Sequence, residues 1–304
     1  MVAQYKYSIP EQALAYNIQK GDFMETLRYI FSGLGVGAAM TIPGVSGGTA
    51  AILLGVYDRI VRAVSRMFSE ARRSIPLLLS FGGGAALGAL LLARLISYLL
   101  TTPAEVPLRF FFLGAVAGGI PLILRRAELR RFTPGTLTLV LLGAAAVFLI
   151  SSLPEGLFSP GNSGFFGIIL RFLGGVLLAA ALVLPGISAS HFLYMLGLYD
   201  DVIGRLGSFD LLPLLPMAAG VIVGTFLSAR LLEALFERHI TGTYLVILGF
   251  MLASLRELLP SAADGIQLFT GVICASVGFL AVFLLQNREG RNPSKKSRYS
   301  ARSG

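Results

Sequence analysis

A chain of 304 residues with 55% hydrophobic and 13% charged residues is not an ordinary soluble domain, which carries about 25% charged residues. The mean hydropathy of +0.77 implies instead an all-α integral membrane protein with many spans. The 25 Lys and Arg against 16 Asp and Glu give a formal charge of +9. In such a chain that charge reads as cationic loops facing a cytoplasm and anionic lipid headgroups, not as a nucleic-acid surface. The single Cys274 lies in an apolar run, so no disulfide framework and no metal cluster are expected.

Residues 1–27 are polar. They predict a cytoplasmic segment without a cleavable signal peptide, with a short helix on the membrane surface from Pro10 to Gln19. An apolar segment then runs from Tyr29 to Tyr57, interrupted by PGVSGGT at 43–49. Its arms, 29–42 and 47–57, reach roughly 21 and 17 Å at 1.5 Å per residue. Neither crosses a hydrocarbon core of about 30 Å, so 29–57 reads as a re-entrant hairpin. One kinked span is the alternative. Arg59, Arg62, Arg66, Arg72 and Arg73 follow as a polar face. Spans are expected at Ile75–Leu100, 109–124 and 134–153, the first with Gly82, Gly83, Gly84 and Gly88 as a small-residue packing face. A loop at 154–167 without Lys or Arg closes the first half. The second half repeats the plan: arms at 171–184 and 189–199 flank PGISASH, and spans are expected at 213–236, 243–256 and 265–285. The basic tail, 287–304, has the composition of a disordered segment.

The two interruptions are copies. A shift of 142 aligns 43–58 with 185–200 without a gap and gives seven identities in sixteen positions. These are Pro43 with Pro185, Gly44 with Gly186, Ser46 with Ser188, Leu54 with Leu196, Gly55 with Gly197, Tyr57 with Tyr199 and Asp58 with Asp200. A shift of 136 then matches Gly84, Gly88 and Arg94 to Gly220, Gly224 and Arg230. The chain is read as two repeats, 28–153 and 168–286.

Charge orients them. If each broken segment returns to its own side, residues 1–27, 58–74, 125–133, 237–242 and 286–304 share one face and hold 18 Lys and Arg, against two (Arg205 and Arg256) on the other. If each broken segment spans, the bias vanishes. The positive-inside rule therefore favours hairpins and puts both termini in the cytoplasm. One hairpin plus three transmembrane helices per repeat inverts the second repeat relative to the first, the plan of secondary transporters with a midplane site.

Non-helical backbone inside a bilayer is tolerated only against protein or a water-filled cavity. Two facing breaks imply such a cavity, and helix starts there favour an anion such as phosphate. The candidate binding residues are Pro43, Gly44, Val45, Ser46, Gly47, Gly48 and Thr49 from one break, and Pro185, Gly186, Ser188, Ala189, Ser190 and His191 from the other. The plain reading is that such breaks only cap and kink helices. Span interiors carry almost no carboxylate; Glu233, near an inner end, is the exception. Arg94 and Arg230 read either as snorkelling side chains or as acceptors of an anionic headgroup near each leaflet. His191, Asp58 and Asp200 are candidate coupling groups, with a proton as the candidate ion, and structural or anchoring roles as the alternative.

PGVSGGTAAILLGVYDRI and PGISASHFLYMLGLYDDVI resemble the bacterial and archaeal polyprenyl-phosphate transporter family, the PopT-type undecaprenyl-phosphate translocases. The resemblance covers about residues 25–285. It implies a flippase of the bacterial plasma membrane that returns the lipid carrier undecaprenyl phosphate to the cytoplasmic leaflet for peptidoglycan and cell-envelope synthesis, with no cofactor and no nucleic-acid partner. Family members often carry an acidic residue or Asn before the first motif, where this chain has Met40 and Thr41, and Gly in place of Ala189. The rivals are an undecaprenyl-pyrophosphate phosphatase and a small-anion transporter or channel. The phosphatase needs an Arg within the motif and paired glutamates nearby, whereas Gly47 and Gly48 follow Ser46 and no Glu lies between Glu25 and Glu70. Without charge compensation or a base at Ser46, hydrolysis is poorly supported.

Overall fold

The computed structural model describes residues 11–42, 44–129, 131, 133–152, 164–187, 189–260 and 263–290, without the side chains of 11–22, 190, 191, 206 and 288–290. Pro43 and Ser188, the side chains of Ser190 and His191, and the tail from 291 therefore lie outside the described residues. Among these residues every regular element is a helix. The first half comprises α1 (Glu11–Met40), α2 (Gly47–Leu53), α3 (Tyr57–Ser65), α4 (Ala71–Leu100), α5 (Glu105–Arg126) and α6 (Pro134–Ser151). The second comprises α7 (Phe165–Val183), α8 (Ala189–Leu196), α9 (Tyr199–Gly207), α10 (Leu215–Arg238), α11 (Ile240–Leu258) and α12 (Gly265–Gly290).

Four helix pairs build the bundle: α1 with α4, α7 with α10, α5 with α12 and α6 with α11. Glycines make each pair close enough for backbone to touch backbone, since apolar side chains gain nothing by leaving lipid for another apolar surface. A Cβ at Gly84 would collide with the Ile30 carbonyl, and one at Gly220 with the Phe172 carbonyl. Gly88 meets Leu34 as Gly224 meets Val176. Across the halves, Gly114 meets Ala275 as Gly249 meets Val140. The shift is 142 for α7 on α1, 136 for α10 on α4, and 135 for α11 on α5. The six residues lost (142 − 136) match the shorter long helix of the second half, 24 residues in α10 against 30 in α4. Exchanging the halves maps every pair onto another, so the sequence duplication is also a duplication of contacts.

Among the described residues, seven helices are long and apolar enough to cross a membrane: α4, α5, α6, α7, α10 with its preceding turn, α11 and α12. Six sit where spans were expected. The seventh, α7, differs from the arm drawn at 171–184. It starts at Phe165, because the apolar run FFGIIL continues the helix N-terminally from Gly164, which bends the chain at φ +93°. Its 19 residues span about 28 Å, so its length alone does not stop it from crossing. In α1 the expected surface helix and first arm are one continuous helix of 30 residues. The glycine face of α4 is also narrower than expected. Gly84 and Gly88 touch α1, whereas a Cβ at Gly82 or Gly83 would meet nothing within 4 Å.

This difference is measurable. Gly84→Ala pushes against a main-chain carbonyl that cannot yield, and is expected to cost about 1–3 kcal/mol. Gly82→Ala enters open space in a helix interior and is expected to be neutral or to stabilise by up to about 1 kcal/mol. Thermal unfolding of the two variants side by side reads the contrast, and equal melting temperatures would refute it.

Candidate functional site at the paired breaks

Each break opens with glycine in the left-handed region that L side chains avoid. Gly44 has φ +85° and Gly186 +83°, and the hairpin exits repeat the match with Gly55 at +69° and Gly197 at +68°. In the first break, Val45 N–H donates to the Ile42 carbonyl at 3.1 Å, closing a turn before α2 begins. Ser46 stands at the N-cap of α2 with extended backbone (φ −78°, ψ 137°), yet its side chain makes no capping bond.

The central helix α11 gauges the depth of both breaks. Gly44 packs on Glu257, the penultimate residue of α11, and Gly186 packs on Phe250. Seven residues of helix separate those levels, about 10 Å. The two breaks therefore lie at different levels along α11 and pass close to each other. Where they pass, a Cβ on Gly48 would lie 2.9 Å from Pro185 Cα and 3.0 Å from Pro185 N.

The hydroxyls between them have specific work. α7 ends inside the bundle with its last carbonyls unpaired, a state the hydrocarbon core does not tolerate. Tyr57 OH donates to the Val183 carbonyl at 2.9 Å, and Ser46 Oγ reaches the Leu184 carbonyl at 3.5 Å. Gly186 N–H donates to Thr49 Oγ1 at 3.0 Å. Ser46 is 5% exposed and Thr49 2%, so neither side chain faces open solvent in this conformation. The end of α2 is served in the same way, by Gln286 Nε2 donating to the Leu53 carbonyl at 3.3 Å. Thr49→Val keeps the shape and removes the acceptor, leaving a buried amide unsatisfied. It is expected to cost about 1–3 kcal/mol in unfolding free energy. Unchanged unfolding would show that another acceptor takes over.

Of the other residues singled out in the sequence, Asp58 accepts from Tyr244 OH at 2.7 Å and from Arg126, joining the foot of the first hairpin to α11 and α5. Its counterpart Asp200 is exposed. Arg94 and Arg230 are both exposed on α4 and α10, and the Arg230 guanidinium lies 4.3 Å from the Phe226 ring centroid. Neither joins the breaks. Val45 is buried beside them, and Gly47 faces the flexible Met40 side chain.

Three residues near the breaks escaped the sequence reading. Glu257 was placed beyond a span ending at 256, but α11 runs to Leu258 and carries it to Gly44. Arg109, one turn into α5, donates from Nη1 to the Glu257 carbonyl at 3.1 Å and pairs with Glu105 at 2.9 Å. Gln286 lies just past the span expected at 265–285. The signal for all three was a polar residue within one turn of an apolar run.

Comparison with known proteins adds a family. The sequence profile of the family described as undecaprenyl phosphate translocase-like matches residues 36–270. A polyprenyl-phosphate transporter of Vibrio cholerae is 30% identical over 79% of this chain and 80% of its own length. A polyprenyl-phosphate transporter of Staphylococcus aureus is 30% identical over 84% of this chain and 94% of its own length. No solved structure matches.

Proposed function

The chain belongs to the undecaprenyl phosphate translocase-like family, and from that premise we propose that it is a polyprenyl-phosphate transporter passing the phosphate headgroup between the paired breaks. The observation that carries this reading is the meeting of the two copies at Gly48–Pro185 and Thr49–Gly186, deep in a multi-pass membrane bundle. A lipid phosphate needs a polar path for its head and open bilayer for its tail. Two adjacent breaks supply the first, and a bundle of few helices leaves the second at its flank.

In this reading the halves are inverted-topology repeats. Each is a re-entrant hairpin and three spans, with the hairpins entering from opposite sides and both termini in the cytoplasm of a bacterial cell. Ser46, Gly47, Gly48 and Thr49 hold the phosphate from one side, and Ser188, Ala189, Ser190 and His191 from the other. The bonds from Ser46 to Leu184 and from Gly186 to Thr49 open to admit it. Arg94 and Arg230 receive the headgroup near each leaflet. His191, Asp58 and Asp200 remain the candidate proton carriers. Undecaprenyl phosphate is the substrate, moved to the cytoplasmic leaflet for reuse in envelope synthesis. Hydrolysis is disfavoured by the motif itself, where glycines follow Ser46 instead of a cation.

Ligand-induced stabilisation tests the headgroup. Undecaprenyl phosphate at 100 times its Kd is expected to stabilise the purified protein by about 2.7 kcal/mol. Undecaprenol, with the same tail and no phosphate, is expected to give no specific shift. Equal shifts from the two lipids would contradict a phosphate site.

A further inference from the structure

We propose that the polar cluster joining α3 to α5, α10 and α11 is a closed gate, so that the protein rests shut on its α3 face and takes its headgroup from the α9 face. The inference rests on the transporter reading above. It is carried by a comparison of each half with its own copy.

On the α3 face the cluster is ionic and ties four helices together. Arg66, at the end of α3, donates from Nε to Glu233 Oε1 at 2.6 Å and from Nη2 to Glu237 Oε1 at 2.9 Å, both on α10. Arg62 Nε lies 3.7 Å from the same Glu233 oxygen. Asp58 binds Tyr244 of α11 and Arg126 of α5. Glu233 is only 11% exposed, and a carboxylate that far from water depends on its partners. A guanidinium is charged at any working pH, and the hydrogen bond to Glu233 pushes the Arg66 pKa further up. Apolar packing continues the closure. Tyr57 and Val61 share one buried cluster with Ala229, Leu232 and Tyr244.

On the α9 face the counterparts of Arg62, Arg66, Glu233 and Glu237 carry no charge, although Asp200 keeps the carboxylate of Asp58. The shift of 142 takes Arg62 to Gly204 and Arg66 to Ser208, and the shift of 136 takes Glu233 to Ser97 and Glu237 to Thr101. Ser208 Oγ donates to the Gly204 carbonyl and Thr101 Oγ1 to the Tyr98 carbonyl, each within its own turn. Asp200 is exposed and, among the described residues, has no ion pair. The ion pairs of α9 stay local. Arg205 holds Asp201 and Asp210 at 2.7 Å, and Arg171 of α7 stands 3.5 Å from Asp201. Val202 packs in a separate small cluster with Leu196, Leu198, Leu214 and Met217, without α4 or α5.

Two copies of one unit thus stand in two arrangements, one docked on the opposite half and one not. In a transporter built from repeats, the two arrangements are the two ends of one movement, which each repeat makes in turn. Opening the α3 face means giving that hairpin the free arrangement that α9 already has. The step releases Arg66 from Glu233 and Glu237, and exposes Glu233 to water, so the charges lost to each other are regained as hydration. The α9 face needs no ionic lock to be broken. By the charge distribution the locked face is cytoplasmic, which sets the resting protein to load from the outer leaflet.

The test uses the full chain in nanodiscs with Cys274→Ser and one of two reporters, Ser65→Cys at the buried end of α3 or its counterpart Gly207→Cys on α9. Polar maleimide should label Gly207→Cys at least tenfold faster than Ser65→Cys. Adding Glu233→Gln with Glu237→Gln, which keeps the shapes and removes the charges, should speed Ser65→Cys labelling at least tenfold and leave Gly207→Cys no faster. Equal rates at the two reporters, or no rise at Ser65→Cys, would overturn the gate, and so would an equal rise at both, since that is loosening of the whole fold. Cross-linking Arg66→Cys to Glu237→Cys with a bifunctional maleimide should abolish lipid transport, and full transport by the cross-linked protein would also overturn it. Labelling needs no lipid. A chain that labels as expected but moves no polyprenyl phosphate keeps the gate and loses the substrate.

Discussion

Ser46→Ala combined with Ser188→Ala is expected to stop headgroup translocation and leave the fold in place. The structural cost at Ser46 is small because the hydrogen bond its side chain makes among the described residues is a 3.5 Å reach to the Leu184 carbonyl, at the outer limit of a hydrogen bond. Its loss is expected to cost less than about 1 kcal/mol. The functional cost is larger. A hydroxyl donating to a charged phosphate is worth about 1.5–3 kcal/mol. Loss of the two hydroxyls, one from each sequence copy, is expected to raise the barrier by about 3–6 kcal/mol, or about 10²- to 10⁴-fold in rate. The checks are thermal unfolding within a few degrees of the unmodified protein and transport in proteoliposomes. A well-folded double variant that transports at the unmodified rate would remove both hydroxyls from the site.

Gly48→Val should have the second large effect, and through geometry alone. The added Cβ lies 2.9 Å from Pro185 Cα and 3.3 Å from the Leu184 carbonyl carbon, so it meets main chain on the opposing hairpin. That main chain is held by Tyr57 at Val183 and by Thr49 at Gly186. The two tips must move apart, at a cost of about 1–3 kcal/mol in stability. A displacement of about 1 Å between groups that act together costs about 10² in rate, and transport is expected to fall at least that far. For stability, Gly47→Ala is the steric comparison one residue away. Its Cβ meets the Met40 thioether at 2.7 Å, and a flexible side chain swings aside. Near-normal transport by Gly48→Val would show that the tips need not touch.

Much of this arrangement was legible in the sequence because it depends on local chemistry. A Pro-Gly-x-Ser interruption ends a helix wherever it occurs, and the copied spacing carried the copied backbone, with Gly44 and Gly186 at nearly the same φ. Long apolar runs fixed six helices for the same reason. What escaped depends on neighbours. Gly82 and Gly84 are equivalent letters, and only the position of α1 decides that Gly84 touches backbone while Gly82 touches nothing. The hydroxyls of Thr49 and Tyr57 suggest ligand binding until the end of α7 arrives with unpaired groups to satisfy. Asp58 and Asp200 look alike in the alignment. One is bonded to Arg126 and Tyr244 and the other is exposed, because the halves differ in docking. Glu257 and Arg109 escaped because helix ends were drawn one turn short.

The most direct experiment is to reconstitute the chain in proteoliposomes and follow headgroup translocation of undecaprenyl phosphate, with phosphate release from the pyrophosphate form followed in parallel. Translocation well above that of protein-free vesicles, without phosphate release, is the result expected of a transporter. Phosphate release without translocation would contradict it, and would make the paired breaks an active site instead of a path.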